Sequence, residues 1–207
     1  MRTCVRVAMA GVTSVALALA ASAETAGNRE ETTMKETTNT VTMKGKPLTL
    51  LGTPAKVGEV APEFKVVDDA FKPVRLSDFA GKVVLVSAVP SLDTGVCSLQ
   101  TRRFNEEAAK LPNDIVILTV SMDLPFAQKR FCQAEHVDRI RVLSDSVWKD
   151  LGGKYGILIK DMGILSRSVW VVGRSGKIVY RQIVPELATE PDYAAALKAA
   201  KEAAESK

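Results

Sequence analysis

Two apolar runs stand out along the chain. Lys82-Val83-Val84-Leu85-Val86-Ser87-Ala88-Val89 and Ile115-Val116-Ile117-Leu118-Thr119-Val120-Ser121 are rich in β-branched residues at consecutive positions. That pattern predicts strands covered on both faces. Each run leads into a helical pattern. After the first, Pro90 ends the strand, Ser91, Asp93 and Gly95 supply turn chemistry, and Asp93 or Thr94 stands where a helix cap belongs. Val96, Leu99, Phe104 and Ala108 then recur at helical spacing, interrupted by Arg103. After the second, Leu124, Ala127 and Phe131 predict a helix over Leu124 to Ala134.

Shorter elements surround this centre. Val41 to Leu50 alternates on both sides of Gly45, as a small hairpin does. Val60 to Val67 is a strand entry, Asp68-Asp69 turns into Pro73-Val74-Arg75-Leu76, and Ser77 to Gly81 is one helical turn closed by glycine. Arg139 to Leu143 predicts a short strand, and Trp148 to Leu151 a short helix ended by Gly152-Gly153. Ser168 to Val172 and Lys177 to Tyr180 flank a polar, glycine-containing turn, a second hairpin. Glu190-Pro191-Asp192 opens an Ala-rich terminal helix, with proline at an early helical position. Strands alternating with helices, then a hairpin and a last helix, make an α/β sandwich with a central mixed sheet flanked by helices.

The first 23 residues read differently. Arg2 and Arg6 precede an apolar run from Val7 to Ala20, and Ala21-Ser22-Ala23 fits a small-residue cleavage site. This is the pattern of a secretory signal peptide over 1–23, cut after Ala23. The run is too short for the roughly 20 residues that span a bilayer, so no stable membrane anchor is expected. Residues 24–40, rich in Thr, Glu, Asn and Gly, predict a disordered polar spacer, with the folded domain over 41–207. The chain carries 28 Lys and Arg against 24 Asp and Glu. Cleavage would remove two of the basic residues, and the remaining balance is too weak to argue for nucleic acid.

Export also leaves two cysteines, Cys97 and Cys132, in a compartment where disulfides persist. Cys97 falls in the first turn of a helix leaving a central strand. Unpaired N–H groups and about half a positive charge at such a position stabilise an anion, and the thiolate is the nucleophilic form of cysteine. Arg102 and Arg103 lie near in sequence and would add positive potential. The plainer alternative is a buried structural thiol. Cys132 lies 35 positions later, beside the inner face of the next helix. The pair is not C-x-x-C. From the residues alone it fits a structural disulfide, a metal site with His136 that lacks a fourth ligand, or a redox couple in which a sulfenic acid condenses with a second thiol.

The residues also carry a resemblance. Pro90-Ser91-Leu92-Asp93-Thr94-Gly95-Val96-Cys97 resembles the active-site loop of the bacterial thiol peroxidases, atypical two-cysteine peroxiredoxins. Leu124 to Cys132 is similar to their resolving-cysteine segment, Ser166-Arg167-Ser168-Val169 to the segment holding their active-site arginine, and Glu190 to Leu197 to their terminal helix. The resemblance spans about residues 41–204 and implies a thioredoxin-like fold with an N-terminal β-hairpin. It implies reduction of hydrogen peroxide and alkyl hydroperoxides. Cys97 would be the peroxidatic nucleophile and Cys132 the resolving thiol, joined in an intramolecular Cys97–Cys132 disulfide. Thr94 would hydrogen-bond the thiolate and the peroxide, Arg167 would stabilise both, and Pro90 would shield the site. It implies thioredoxin as reductant, a homodimer, and no metal or organic cofactor.

Two features qualify this. The leader and spacer are atypical of a family whose members look cytoplasmic, so a periplasmic, thioredoxin-like donor is expected instead. A disulfide also needs Cα atoms within roughly 4.4–6.8 Å. Two cysteines on successive helices begin farther apart, so local unwinding around both is expected in each turnover. Two rivals fit less well. A thiol–disulfide oxidoreductase of the thioredoxin type would need C-x-x-C and a proline facing it, and none lies between Pro125 and Pro185. A binding or stress module with a purely structural disulfide would show no peroxide reactivity.

Overall fold

A computed structural model describes residues 34–206. The expected leader and residues 24–33 of the expected spacer lie outside the described residues. The two apolar runs form β5 (Val83–Ala88) and β6 (Ile115–Ser121), the centre of a seven-stranded sheet. They pair in parallel, Val83 opposite Ile115 through Ala88 opposite Val120. Between them runs α1 (Gly95–Ala108), and α2 (Pro125–Ala134) connects β6 to its parallel neighbour β7 (Arg141–Ser144). On the other flank β9 (Ser168–Val172) pairs antiparallel with β5, and β10 (Ile178–Ile183) with β9. The short β3 (Lys65–Val67) and β4 (Pro73–Arg75) close the edge beyond β7. The sheet is mixed, as expected.

Side-chain alternation divides the core in two. Val84, Val86 and Ala88 of β5 face a cluster with Phe64, Tyr155 and Trp170. Val83 and Leu85 face the opposite cluster, with Phe104 of α1, Phe131 of α2, and Tyr193 and Ala196 of α4 (Tyr193–Glu205). Phe104 and Tyr193 meet edge to face with centroids 5.3 Å apart, a contact worth about 1 kcal/mol beyond its buried area. Asp192 caps α4 by accepting from the Ala195 N–H at 2.9 Å, which leaves Pro191 outside the helix rather than in its first turn.

Three sequence expectations change. The N-terminal hairpin begins earlier. β1 (Glu36–Met43) pairs with β2 (Lys46–Leu51) from Glu36 opposite Leu51, so residues 36–40 of the expected spacer are strand. A threonine-rich run suits a pleated strand once a partner satisfies its backbone, and Lys160 bonds the Glu36 carboxylate. A third strand, β8 (Leu158–Ile159), joins this hairpin and has no clear sequence signal. The helix α3 (Asp150–Lys154) starts later than expected and runs through Gly152-Gly153 instead of ending there. The buried Asp145 carboxylate accepts from the N–H groups of Asp150, Leu151 and Gly152 at 2.8, 3.2 and 2.8 Å, which sets its start. A Cβ on Gly152 would stand 2.8 Å from Leu165 Cδ2, so close packing explains the glycine.

Candidate active site

Thr94 is the N-cap residue of α1, and Cys97 is the third residue of its first turn. Parallel pairing of β5 and β6 places this helix start at the C-terminal edge of the sheet centre. The Cys97 side chain is fully buried. The expected buried stripe of α1 is rotated. Cys97, Gln100, Thr101, Phe104 and Asn105 face inward, while Leu99 is 41% exposed. Gln100 turns inward to serve a buried cation, while Thr101 donates to the Cys97 carbonyl and Asn105 bonds the backbone at His136, Asp138 and Arg139.

That cation is Arg167, which is 2% exposed and precedes β9. Its guanidinium reaches in three directions. Nη2 donates to Cys97 Sγ at 3.3 Å, Nη1 to Gln100 Oε1 at 2.7 Å, and Nε to the Leu187 carbonyl at 3.0 Å. Gln100 in turn donates to Ser87 Oγ at 2.7 Å. Among the described residues no carboxylate pairs with Arg167. A buried guanidinium needs compensating partners, and its donors end here on the Cys97 sulfur, an amide oxygen and a backbone carbonyl. Arg102 and Arg103 contribute no contact there. Arg102 pairs with Glu135, and Arg103 pairs with Glu190 and stacks on Tyr193.

Arg167 also lines an apolar cavity of about 260 Å³, together with Pro90, Thr94, Val96, Ile164 and Leu187. The arginine therefore touches both the sulfur and the space a small substrate would enter. Pro90 is buried in that wall. The Thr94 hydroxyl donates to the Ser91 carbonyl at 3.0 Å and makes no bond to Cys97. It also makes no side-chain cap bond to the helix. In this arrangement its free capacity is as an acceptor facing the cavity.

Cys132 occupies a different setting, near the end of α2. No disulfide joins it to Cys97. It is half-buried in a cleft of about 550 Å³ lined by Asp68, Asp69, Lys129, His136 and Arg141. Burial pushes its thiol up to about 11, and the Asp69 carboxylate adds to the effect. The helix ends at Ala134 and His136 has φ 52°, so Cys132 and His136 are not one turn apart on a helix as the sequence suggested.

Sequence reasoning missed Gln100 and Asp123. Gln100 had a signal, a polar residue three positions after Cys97 and hence on the same helix face. Asp123 had none beyond turn chemistry. Its carboxylate accepts from Ser91 Oγ at 2.7 Å, the Leu92 N–H at 2.8 Å and Ser121 Oγ at 2.7 Å.

The chain is similar to known proteins over most of its described length. The family model described as Redoxin matches residues 56–197. A thiol peroxidase of Oceanobacillus iheyensis is 52% identical over 157 residues, covering 76% of this chain and 95% of that protein. The thiol peroxidase of Bacillus subtilis is 47% identical over 161 residues, covering 78% of this chain and 96% of its own length. The crystal structure of a peroxiredoxin-like protein from Aquifex aeolicus matches with a TM-score of 0.76 at 40% identity, covering 81% of this chain and 98% of that one.

Proposed function

The chain belongs to the redoxin family and is a thiol-dependent peroxidase; from that premise we propose that Cys97 is its peroxidatic nucleophile and Cys132 its resolving thiol. The Cys97 thiolate attacks the terminal oxygen of a hydroperoxide. The O–O bond breaks, sulfur takes the terminal oxygen with its hydrogen as sulfenic acid, and the leaving alkoxide or hydroxide carries away the electron pair and takes from water the proton that the Cys97 thiol gave up when it ionised. Arg167 sits where negative charge builds on sulfur and on the leaving oxygen, the arrangement of donors that lowers such barriers most. The Thr94 oxygen accepts a hydrogen bond from the peroxide O–H, and Pro90 walls the site from bulk water. The Cys132 thiol then displaces hydroxide from the sulfenic acid, releasing water and forming the Cys97–Cys132 disulfide. Two thiols of a thioredoxin-type donor return both sulfurs to the reduced state.

The observation that carries this reading is the 3.3 Å contact from Arg167 Nη2 to Cys97 Sγ, made by a buried guanidinium with no carboxylate partner among the described residues. The apolar cavity beside it supports organic hydroperoxides alongside hydrogen peroxide. The test is stopped-flow oxidation of the reduced protein by hydrogen peroxide and cumene hydroperoxide, followed through Trp148 and Trp170. Cys97→Ser should abolish the fast phase. Cys132→Ser should keep it and accumulate sulfenic acid. Oxidation no faster than that of a free thiol would return the site to a structural disulfide.

We also propose export to the periplasm through cleavage after Ala23, with an extracytoplasmic thioredoxin-like donor. N-terminal sequencing of the protein from fractionated cells tests the first part, and reduction of the disulfide by purified periplasmic dithiol proteins tests the second. A homodimer is supported by exposed apolar side chains at the start of α2. Phe126 is 68% exposed and its ring lies 5.2 Å from Phe71, beside an exposed Leu124. Sedimentation of Phe126→Glu should show a monomer.

A further inference from the structure

The segment 90–94 carries the residues that surround the reacting sulfur, yet little fastens it. Within it, the Thr94 N–H and hydroxyl both donate to the Ser91 carbonyl, and the Asp93 N–H donates to Ser91 Oγ. These bonds are local and move with the loop. Among the described residues, every hydrogen bond from 90–94 to a segment outside this loop and α1 ends on one carboxylate, Asp123. Both bonds are short, and bonds to a carboxylate are about twice as strong as neutral ones.

Asp123 lies in the connection between β6 and α2, and it is fastened from the other side. Ser121 Oγ donates to Asp123 Oδ2 at 2.7 Å, and Ser144 Oγ donates to its carbonyl at 2.6 Å. The same Ser121 hydroxyl accepts from Gln128 Nε2 at 2.9 Å. Gln128 is buried on α2, one turn before Cys132. A continuous chain of hydrogen bonds thus runs from the Cys97 loop through Asp123 and Ser121 to the Cys132 helix. Gln128 Oε1 and the neighbouring strand residue Thr119 are buried with unpaired oxygens, so this polar layer is incompletely satisfied as it stands.

Cys97 is fully buried beside Arg167 while Cys132 lines a separate cleft, and no disulfide joins them in this conformation, so forming one calls for movement of the segments that carry them. We propose that Asp123 is a positioning residue that latches the Cys97 loop in its peroxide-reactive form and must release it for the disulfide to form. The proposal rests on the peroxidase reading above. It makes the two chemical steps respond in opposite directions. A tight latch favours attack on peroxide, because it holds the loop that carries Pro90 and Thr94. The same latch slows resolution, because its bonds break before the sulfurs approach.

The test uses the reduced full chain in two-phase stopped-flow with hydrogen peroxide, comparing wild type with Asp123→Asn and with Ser91→Ala. The second variant deletes one hydroxyl and leaves the carboxylate its Leu92 and Ser121 donors, so it remains informative if the first folds poorly. Loss of one charge-assisted bond should slow sulfenic acid formation by about tenfold and quicken disulfide formation several-fold. Mass spectrometry should show less Cys97 sulfinic acid per turnover, because faster resolution outruns a second peroxide. Unchanged rates, or two rates that fall together in step with thermal stability, would overturn the latch while leaving the peroxidase intact. A wild type whose first phase is no faster than oxidation of a free thiol would overturn the peroxidase reading itself, and the latch with it.

Discussion

The helices α1 and α2 are built alike and hold their cysteines oppositely. Each follows a central parallel strand, and each inserts a glutamine to reach a strand serine, Gln100 to Ser87 and Gln128 to Ser121. Cys97 stands in the first turn of its helix, fully buried, with an arginine on its sulfur. Cys132 stands near the end of its helix, half-buried, in a cleft with Asp68 and Asp69. The Cys97 sulfur accepts from a buried cation beside a helix N-terminus, a setting that stabilises negative charge as it develops in a reaction. At Cys132 burial, helped by the Asp69 carboxylate, favours the protonated thiol. The same residue type thus meets two different environments, which suit the two roles proposed for it.

The largest effect should come from removing the cation that separates them. Arg167→Lys keeps the charge but replaces a three-way fork by one ammonium, so it cannot serve the sulfur, Gln100 and the Leu187 carbonyl together. Peroxide oxidation of Cys97 should fall about 10²-fold, while alkylation of Cys132 by iodoacetamide is unchanged. Equal losses at both sulfurs would break the comparison. A smaller effect concerns Cys132 itself. In Cys97→Ser its alkylation should rise about tenfold per pH unit through neutrality, since only the thiolate reacts, and level off near the thiol's value of about 11. Asp69→Asn should bring that midpoint down, because removing a nearby anion favours the thiolate. A plateau near pH 8 would show that burial and Asp69 do not hold the Cys132 proton.

The smallest effect lies in the wall around the Cys97 side. Glu186 accepts from Thr42 Oγ1 and from the Lys44 and Gly45 N–H groups at 2.8, 3.0 and 3.2 Å. These bonds hold its carboxyl down at about 2, well below the usual 4.5. A lowered value means the native state prefers the charged form, so this contribution is fully present above pH 4.5 and disappears as pH falls toward 2. Glu186→Gln should therefore melt slightly below wild type at pH 7, with the gap closing on acidification through that window. A gap independent of pH would show that the hairpin turn needs only the shape of the side chain.

Much of this was legible in the sequence, and particular residues show where legibility stopped. The apolar runs marked β5 and β6 to within a residue, since strands covered on both faces leave no other pattern. The turn chemistry after Pro90 placed Cys97 at a helix start. The inward face of α1 was misread because apolar residues were taken to mark it. Leu99 faces outward and Gln100 inward, since a buried arginine arriving from 67 residues away needs an acceptor there. Residues 36–40 look too polar to fold, yet they extend β1, with Glu36 and Thr37 paired to Leu51 and Leu50 of β2. Asp123 looked like an ordinary turn residue until the parallel register brought Ser91 beside it.

The sequence by itself determined what depends on near neighbours: the cores of the central strands, the turn and helix start before Cys97 and the presence of two thiols in separate helices. These follow from local propensity and periodicity, which act over a few residues. Tertiary structure alone decided which charges meet which sulfur. Arg167 reaches Cys97 from the strand on the far side of the sheet centre, and Asp69 reaches the Cys132 cleft from another segment. Charge–charge and hydrogen-bond effects fall off within a few ångströms in space and are indifferent to distance along the chain, so the contrast between the two cysteines arises only when the chain has folded.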